Sequence, residues 1–574
     1  MTDFSPLPVL NDLTDCEKKV VDAARCGAEL RLSALALGQL AAGEDTAHEV
    51  RAELLRELLL GRRGPLDPQG IRLIGLRIIG RLRLDQITAS AGISLRRCVV
   101  AESIALTGSH FPWVSLQSSR LRRLLADGLQ VDGDLKLQRT RISGVGEAGA
   151  VRLRGACVGG YVDLDGAEVV NDSGPAVYAD RLTVGGGLYL REFQASGAGE
   201  TGALRLISAQ LGSQIALTNA KITNQSGPGV YADRLHVGGT MYLRGLRVSG
   251  AGEAGAVRLL SAQAGAHVDL GAAEIVNDSG PALQADRLQA GGDVQLRGVR
   301  LLGSGKSGVV RLINAQVKGH IDLDFAEAAN ADGDLLVDIR DADVATVAMP
   351  VSSVCAVRQP GVLCAGGNHV DLDRFTFGGL DAPGWREWLH LIRFHTKAYR
   401  PGPYQQLAAV ERAAGHDGNA RRILIRQQQD LYQRAPEAIG NWWARRFHRL
   451  WGVLAGYGYL ARRTAGALLM ALLVAGGLGL WAGHVSDGKH HAVERTTSFA
   501  NGVGVPCSTI ELIGVGLDRG LPLSSTGVRG RCDFNADAHW GAAFTAAAWL
   551  VQATVWALAT LALAGYTGLV RKTG

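Results

Sequence analysis

From about Gly70 to about Leu380, apolar and polar residues alternate in short runs such as VRL, YVDL, RLTV and LYL. Gly, Asn, Asp or Ser breaks these runs every few positions. Such a pattern belongs to short strands joined by tight turns. The pattern also repeats. Arg152, Arg205, Arg258 and Arg311 are evenly spaced at about 53 positions, as are Asn171, Asn224 and Asn277. Within each period, an apolar-x-Gly-x-apolar-x-Leu motif ends at Leu137, Leu164, Leu190, Leu217, Leu243, Leu270, Leu296 and Leu323, each step being half a period to within one position. One coil is therefore about 26.5 residues and the repeat is a double coil. Strands and turns repeated in register predict a mainly β protein, a parallel β-solenoid with coils ~4.8 Å apart.

Two columns test this expectation. Leu153, Ala179, Leu206, Ala232, Leu259, Ala285 and Leu312 alternate large and small. Three positions on, Ala156, Leu182, Ala209, Leu235, Ala262, Leu288 and Ala315 alternate in the opposite phase. Each coil thus supplies one Leu and one Ala, which keeps the core volume constant. An outward column reads Arg152, Tyr178, Arg205, Tyr231, Arg258, Gln284, Arg311. Guanidinium groups alternating with phenols either form a stripe that binds an acidic or planar partner, or use Tyr to space the arginines. Asp180–Arg181, Asp233–Arg234 and Asp286–Arg287 read as surface charge pairs. The earlier motifs ending at Leu84, Leu95 and Leu106 continue the pattern less regularly.

The flanks switch to helical periodicity. Residues 1–65 form an N-terminal cap, with Cys16–Leu37 and Thr46–Leu60 helical, covering the open edge of the first coil. Residues 385–463 return to helix, and PYQQLAAVERAAGHDGNARRILIRQQQDLYQR reads as a helical hairpin like one tetratricopeptide unit, turning near Gly415–Gly418. Trp442, Trp443 and Trp451, set among arginines, suit a helix at lipid headgroups. Thr464–Val485 and Ala542–Val570 contain no formal charge, and each is long enough for a transmembrane helix. Arg445, Arg446, Arg449, Arg462 and Arg463 precede the first, and Arg571 and Lys572 follow the second. The positive-inside rule then puts both chain ends in the cytoplasm and residues 486–541 outside the plasma membrane.

Composition narrows the function. Among 574 residues, 47% are hydrophobic and 20% charged, which excludes wholesale disorder. A net charge of +6 gives no broad basic field, so nucleic acid is not an expected partner. Met1–Leu13 has neither a basic n-region nor an apolar core and is not read as a signal peptide. The eight cysteines lack Cys-x-x-Cys spacing. Cys507 and Cys532 could form a disulfide outside the cell, and the other six are expected as free thiols.

Several motifs imitate chemical sites. G-x-G-x-x-G occurs at Gly144–Gly149, Gly197–Gly202, Gly250–Gly255 and Gly303–Gly308, with Glu168, Glu274 and Glu327 following and Lys221 in the second copy. Dinucleotide binding needs a helix after the glycines, whereas here each run opens into a strand. Gly303–Ser307 lacks the first glycine of a P-loop. Gly456-Tyr457-Gly458 resembles an ion filter but precedes the first span. A re-entrant element around Ile510–Leu521 would lie where a filter belongs. Gln552 and Thr554 are polar within the second span, and Gly476, Gly477 and Gly479 offer them a close-packing face. The histidines form no ligand motif, and His490–His491 reads as an exposed, inert pair. No catalytic, metal or cofactor residue is assigned.

The segments PYQQLAAVERAAGHDGNARRILIRQQ, GYGY, IGVGLDRGLPL and LATLALAGYTGLVRK lie between Pro403 and Lys572 and resemble a group of actinobacterial membrane proteins. The resemblance covers the C-terminal third of the chain. Proteins of that group are often named membrane-associated oxidoreductase, and the repeats are loosely similar to pentapeptide-repeat solenoids. The resemblance implies a redox activity that attaches to no residue here. The residues themselves favour a membrane-anchored scaffold with a protein partner on the solenoid face. An oligomeric two-span channel or signalling protein is the first alternative and the oxidoreductase the second.

Overall fold

A computed structural model describes residues 9–32, 35–43, 46–355, 368–499, 503–521 and 526–567. It divides into two compact units, 1–415 and 416–574. The expected parallel β-solenoid fills most of the first unit. A representative coil has four strands, Leu135–Lys136, Arg141–Gly144, Val151–Arg152 and Cys157–Val158, which define the first to fourth faces. The second and third faces are twelve-stranded parallel sheets. The first and fourth join through the long strand Gln316–Asp322, which pairs on both sides.

Register explains why the early coils look irregular in sequence. On the first face Ile71 pairs with Ile93, Ile93 with Val114 and Val114 with Leu135. Leu135 then pairs with Val162, Val162 with Leu188 and Leu188 with Ile215. The later steps are longer than the early ones, so the first coils are simply shorter. The extra residues enter at one corner. Arg120–Leu121 runs almost directly into Arg123–Leu125, whereas Arg141–Gly144 reaches Val151–Arg152 through a glycine-rich loop.

The predicted inward columns are core. Every Leu and Ala from Leu153 to Leu312 and from Ala156 to Ala315 in the two columns is at most 3% exposed. Each buried Leu contributes about 1.5–3 kcal/mol by leaving water. The corner loops are held by buried asparagines. Asn171 Nδ2 donates to the carbonyls of Gly146 and Pro175, and Asn224 Nδ2 to those of Gly199 and Pro228. Asn277 repeats this with Gly252 and Pro281. Ser173, Ser226 and Ser279 accept from the amides of Gly146, Gly199 and Gly252. The Asn-x-Ser-Gly-Pro string thus recurs because it satisfies backbone groups of its own loop and of the loop in the coil before it. Gly149, Gly202, Gly255 and Gly308 have φ of 94, 91, 91 and 86°, which explains the third glycine of each dinucleotide-like run.

The N-terminal segment is less helical than its pattern suggests. Helix α1 (Asp15–Cys26) stops at Gly27, whose φ of 67° forms a left-handed cap. Glu29–Arg31 and Glu49–Arg51 are strands that pair in parallel with Ile71–Ile74 and Arg77–Ile79. Helices α2 (Leu37–Ala42) and α3 (Ala52–Leu59) and a 3-10 turn at Thr46–His48 complete the helical part among the described residues. The edge is therefore continued by strands as well as covered by helices. At the other end, α4 (Trp385–Phe394) sets the fully buried Trp388 against Phe375 and Phe377 at 6.4 and 5.4 Å. Helix α5 (Pro401–Ala413) ends this unit.

The second unit contains α6 (Asp417–Arg434), α7 (Trp442–Ala455), α8 (Ala461–His484), α9 (Thr509–Gly520) and α10 (Gly541–Thr567). Two of these helices, over Arg462–His484 and Gly541–Leu563, are long and apolar enough to cross a membrane. Arg571 and Lys572 lie outside the described residues. Cysteine pairing differs from expectation at one site. Cys16, Cys26, Cys98 and Cys157 are free, with burial pushing the Cys98 thiol up to about 12. Cys355, expected as a thiol, is disulfide-bonded, and Cys364 lies outside the described residues. Compartment reasoning cannot see such spatial pairing.

Replacing Asn224 by Ala leaves the Gly199 and Pro228 carbonyls without their donor. A loss of about 1–3 kcal/mol is expected. Hydrogen exchange should show it as faster exchange in the 198–204 corner, with the coil's first face unchanged.

Candidate functional site

The outward stripe lies on the third face, where Arg152 pairs in register with Tyr178, Tyr178 with Arg205, Arg205 with Tyr231 and Tyr231 with Arg258. Gln284 and Arg311 continue it. The structure brings all these residues into one column and adds an aspartate to each arginine. Arg205 Nε donates to Asp180 at 2.8 Å, Arg258 Nε to Asp233 at 2.9 Å and Arg311 Nη2 to Asp286 at 2.9 Å. Arg152 pairs likewise with Asp127. The second oxygen of each carboxylate accepts a backbone amide of the next coil, from Arg154, Ile207, Leu260 and Ile313.

This corrects the expected pairing of Asp180, Asp233 and Asp286 with their neighbours Arg181, Arg234 and Arg287. Those arginines sit at corners with φ of 55–57°. The partners are instead Arg205, Arg258 and Arg311, stacked one coil above. Burial raises the Asp233 carboxyl, and its bond to Arg258 counteracts the rise. Arg205 also lies 4.8 Å from the Tyr178 ring centre and 5.6 Å from that of Tyr231. Contacts of this kind contribute ~0.5–1 kcal/mol each at exposed sites. The stripe is thus a bonded ladder as well as a surface.

In the second unit, α9 occupies the stretch read as a re-entrant element. It runs antiparallel along the later half of α8, and small residues let the backbones meet. A Cβ on Gly479 would stand 2.2 Å from the Leu512 carbonyl oxygen, and one on Gly516 would stand 2.2 Å from that of Ala475. Further along, Gly483 faces Leu512 and Gly476 faces Ile513 and Leu517. The glycine face of α8 therefore serves α9 rather than the polar groups of α10. Thr554 Oγ1 donates to Leu550 O within its own helix, and the half-buried Gln552 makes no described hydrogen bond. Helix α10 packs against α8 elsewhere, with Trp481 edge-on to Phe544 at 5.2 Å.

Around α9 the chain is tied by polar groups. Cys507, just before the helix, is disulfide-bonded to Cys532. Ser508 caps the helix through a reciprocal bond with Glu511. At its far end Asp518 accepts from Thr526 N and Oγ1, and Arg519 holds Asp533 through three bonds. His490–His491 is not an inert pair. His490 Nδ1 lies 3.2 Å from Glu494, the His491 amide donates to it, and Asn535 Nδ2 donates at 2.7 Å. Glu494 is fully buried. The Cys507–Cys532 bond is the disulfide raised from the sequence, whereas the ties of Glu494, Asp518 and Arg519 were missed because their partners are dispersed between positions 490 and 535.

The dinucleotide-like glycines lie at solenoid corners, and each run leads into a two-residue strand such as Val151–Arg152. Gly456–Gly458 forms a short 3-10 turn between α7 and α8. Among the described residues, three side chains converge in a metal-ligating set near α4, Cys355 with His390 and His395.

Gly516→Leu should drive a side chain into the α8 backbone and cost about 1–3 kcal/mol or more. Gly477→Leu, where a Cβ meets nothing within 4 Å, should leave stability unchanged. Thermal unfolding in detergent, followed by size-exclusion chromatography, distinguishes them. No family model, curated protein or solved structure matches the chain.

Proposed function

We propose that the protein is a scaffold anchored in the plasma membrane, with its solenoid on the cytoplasmic side presenting a fixed face to a protein partner. One observation carries this reading: twelve-stranded faces with outward ladders share a chain with two membrane-length apolar helices. The arginines before the first span favour cytoplasmic ends. The exposed Trp442, Trp443, Phe447, Leu450 and Val453 on α7 suit a helix at the headgroups. A rigid ladder loses little conformational entropy when a partner binds, which favours recognition by shape.

A second reading is an oligomeric channel or signalling assembly. It is favoured by α9, which descends along the later half of α8 and ends in the Asp518–Thr526 and Arg519–Asp533 bonds. Two spans per chain enclose a pore only when several chains assemble.

The test is affinity capture from native membranes in mild detergent, with wild type against Tyr178→Ala/Tyr231→Ala. Recovery of one defined protein by wild type, lost in a variant with the same circular dichroism, supports the scaffold and its stripe. Capture of no protein by either chain overturns it. Native mass spectrometry of the same sample resolves the rivals. A single-chain mass sinks the channel, and excess mass of a flavin or nicotinamide moves the reading to the oxidoreductase that the resemblance implies.

A further inference from the structure

Where the last coil meets α4, the fold gathers side chains far apart in sequence. Cys355 follows the 3-10 turn Val351–Ser353, His390 lies on α4 and His395 directly follows that helix. One ligand atom from each lies within 4.8 Å of the others. Ligand atoms around tetrahedral zinc stand ~3.3–3.8 Å apart, given bonds of about 2.0–2.3 Å, so a side-chain movement of about 1 Å closes the set. The interval between the two histidines, with Leu391 to Phe394 between them, also fits the spacing of structural zinc sites.

The second observation is the state of His395. It is 1% exposed, and its Nδ1 lies 2.8 Å from the carbonyl oxygen of Asn368. Among the described residues its buried Nε2 has no hydrogen-bond partner. With the proton on Nδ1, donation to the carbonyl leaves a lone pair on Nε2, the arrangement that orients metal-ligating imidazoles. Buried polar atoms are rarely left in this state without a ligand to meet them.

We propose that, in the reduced chain, Cys355, His390 and His395 bind a structural zinc ion that pins α4 to the last coil. One thiolate with two imidazoles suits zinc over the oxygen-seeking divalent cations. The fourth position is open to water. The disulfide at Cys355 and the zinc are mutually exclusive states. Reduction by an added phosphine or dithiol supplies two electrons, two protons complete the thiols, and zinc then displaces the thiol proton of Cys355. The ion would tie down the helix whose Trp388 closes the apolar end of the solenoid on Phe375 and Phe377.

The test uses the full chain in detergent, purified under a phosphine reductant, with metal content measured by mass spectrometry. About one zinc per chain is expected, falling at least tenfold in Cys355→Ser and in His390→Gln. His390 is only partly buried, so its variant should keep the wild-type circular dichroism. Cobalt added to the metal-stripped, reduced protein should give a thiolate charge-transfer band that Cys355→Ser abolishes. Oxidation with diamide should release the metal. Reduced wild type that binds no zinc overturns the proposal, as does binding unchanged in both variants or a cobalt complex without the thiolate band.

Discussion

Each coil of the solenoid must occupy the volume of the coil it stacks upon. Four hydrogen-bonded faces run in parallel, so a bulge in one coil would open the ladders on every side. The alternation of Leu and Ala in opposite phase meets this constraint with the two simplest side chains. In the coils from Leu135 to Leu312 extra chain is admitted at the corner after the second face. There Asn171, Asn224 and Asn277 satisfy backbone groups that would otherwise be buried without partners.

That constraint decides how much was legible in the sequence. The core columns could be read because volume conservation leaves a periodic trace in residue size. The stripe from Arg152 to Arg311 could be read for the same reason, since register turns a period into a column. Its chemistry could not. The nearest acid to Arg205 in the chain is not its partner, because the true neighbour lies a coil away at Asp180. The helical pattern of Cys16–Leu37 misled in a related way: Gly27 ends the helix, and the edge of the first coil recruits Glu29–Arg31 as a strand.

The second unit follows a different logic. Where the solenoid is held by repetition, this unit is held by single bonds between dispersed positions: Cys507 to Cys532, Arg519 to Asp533, Glu494 to Asn535. None recurs, so none leaves a period to detect. The glycines of α8 were visible as a small-residue face and Ile510–Leu521 as a re-entrant stretch, but the packing of one on the other was not, since no period links them. The convergence of Cys355, His390 and His395 is likewise a product of folding.

The opposite phases of the Leu and Ala columns have a consequence for how such a chain can change length. Adding one coil would place Leu over Leu in one column and Ala over Ala in the other, an arrangement the fold uses only past the end of the alternation, where Leu312 stacks on Ile339 and Ala315 on Ala342, all of them buried. Adding two coils restores both columns. Within the alternating stretch the whole double coil, about 9–10 Å of axial rise, is therefore the step in length that leaves both core columns as they were.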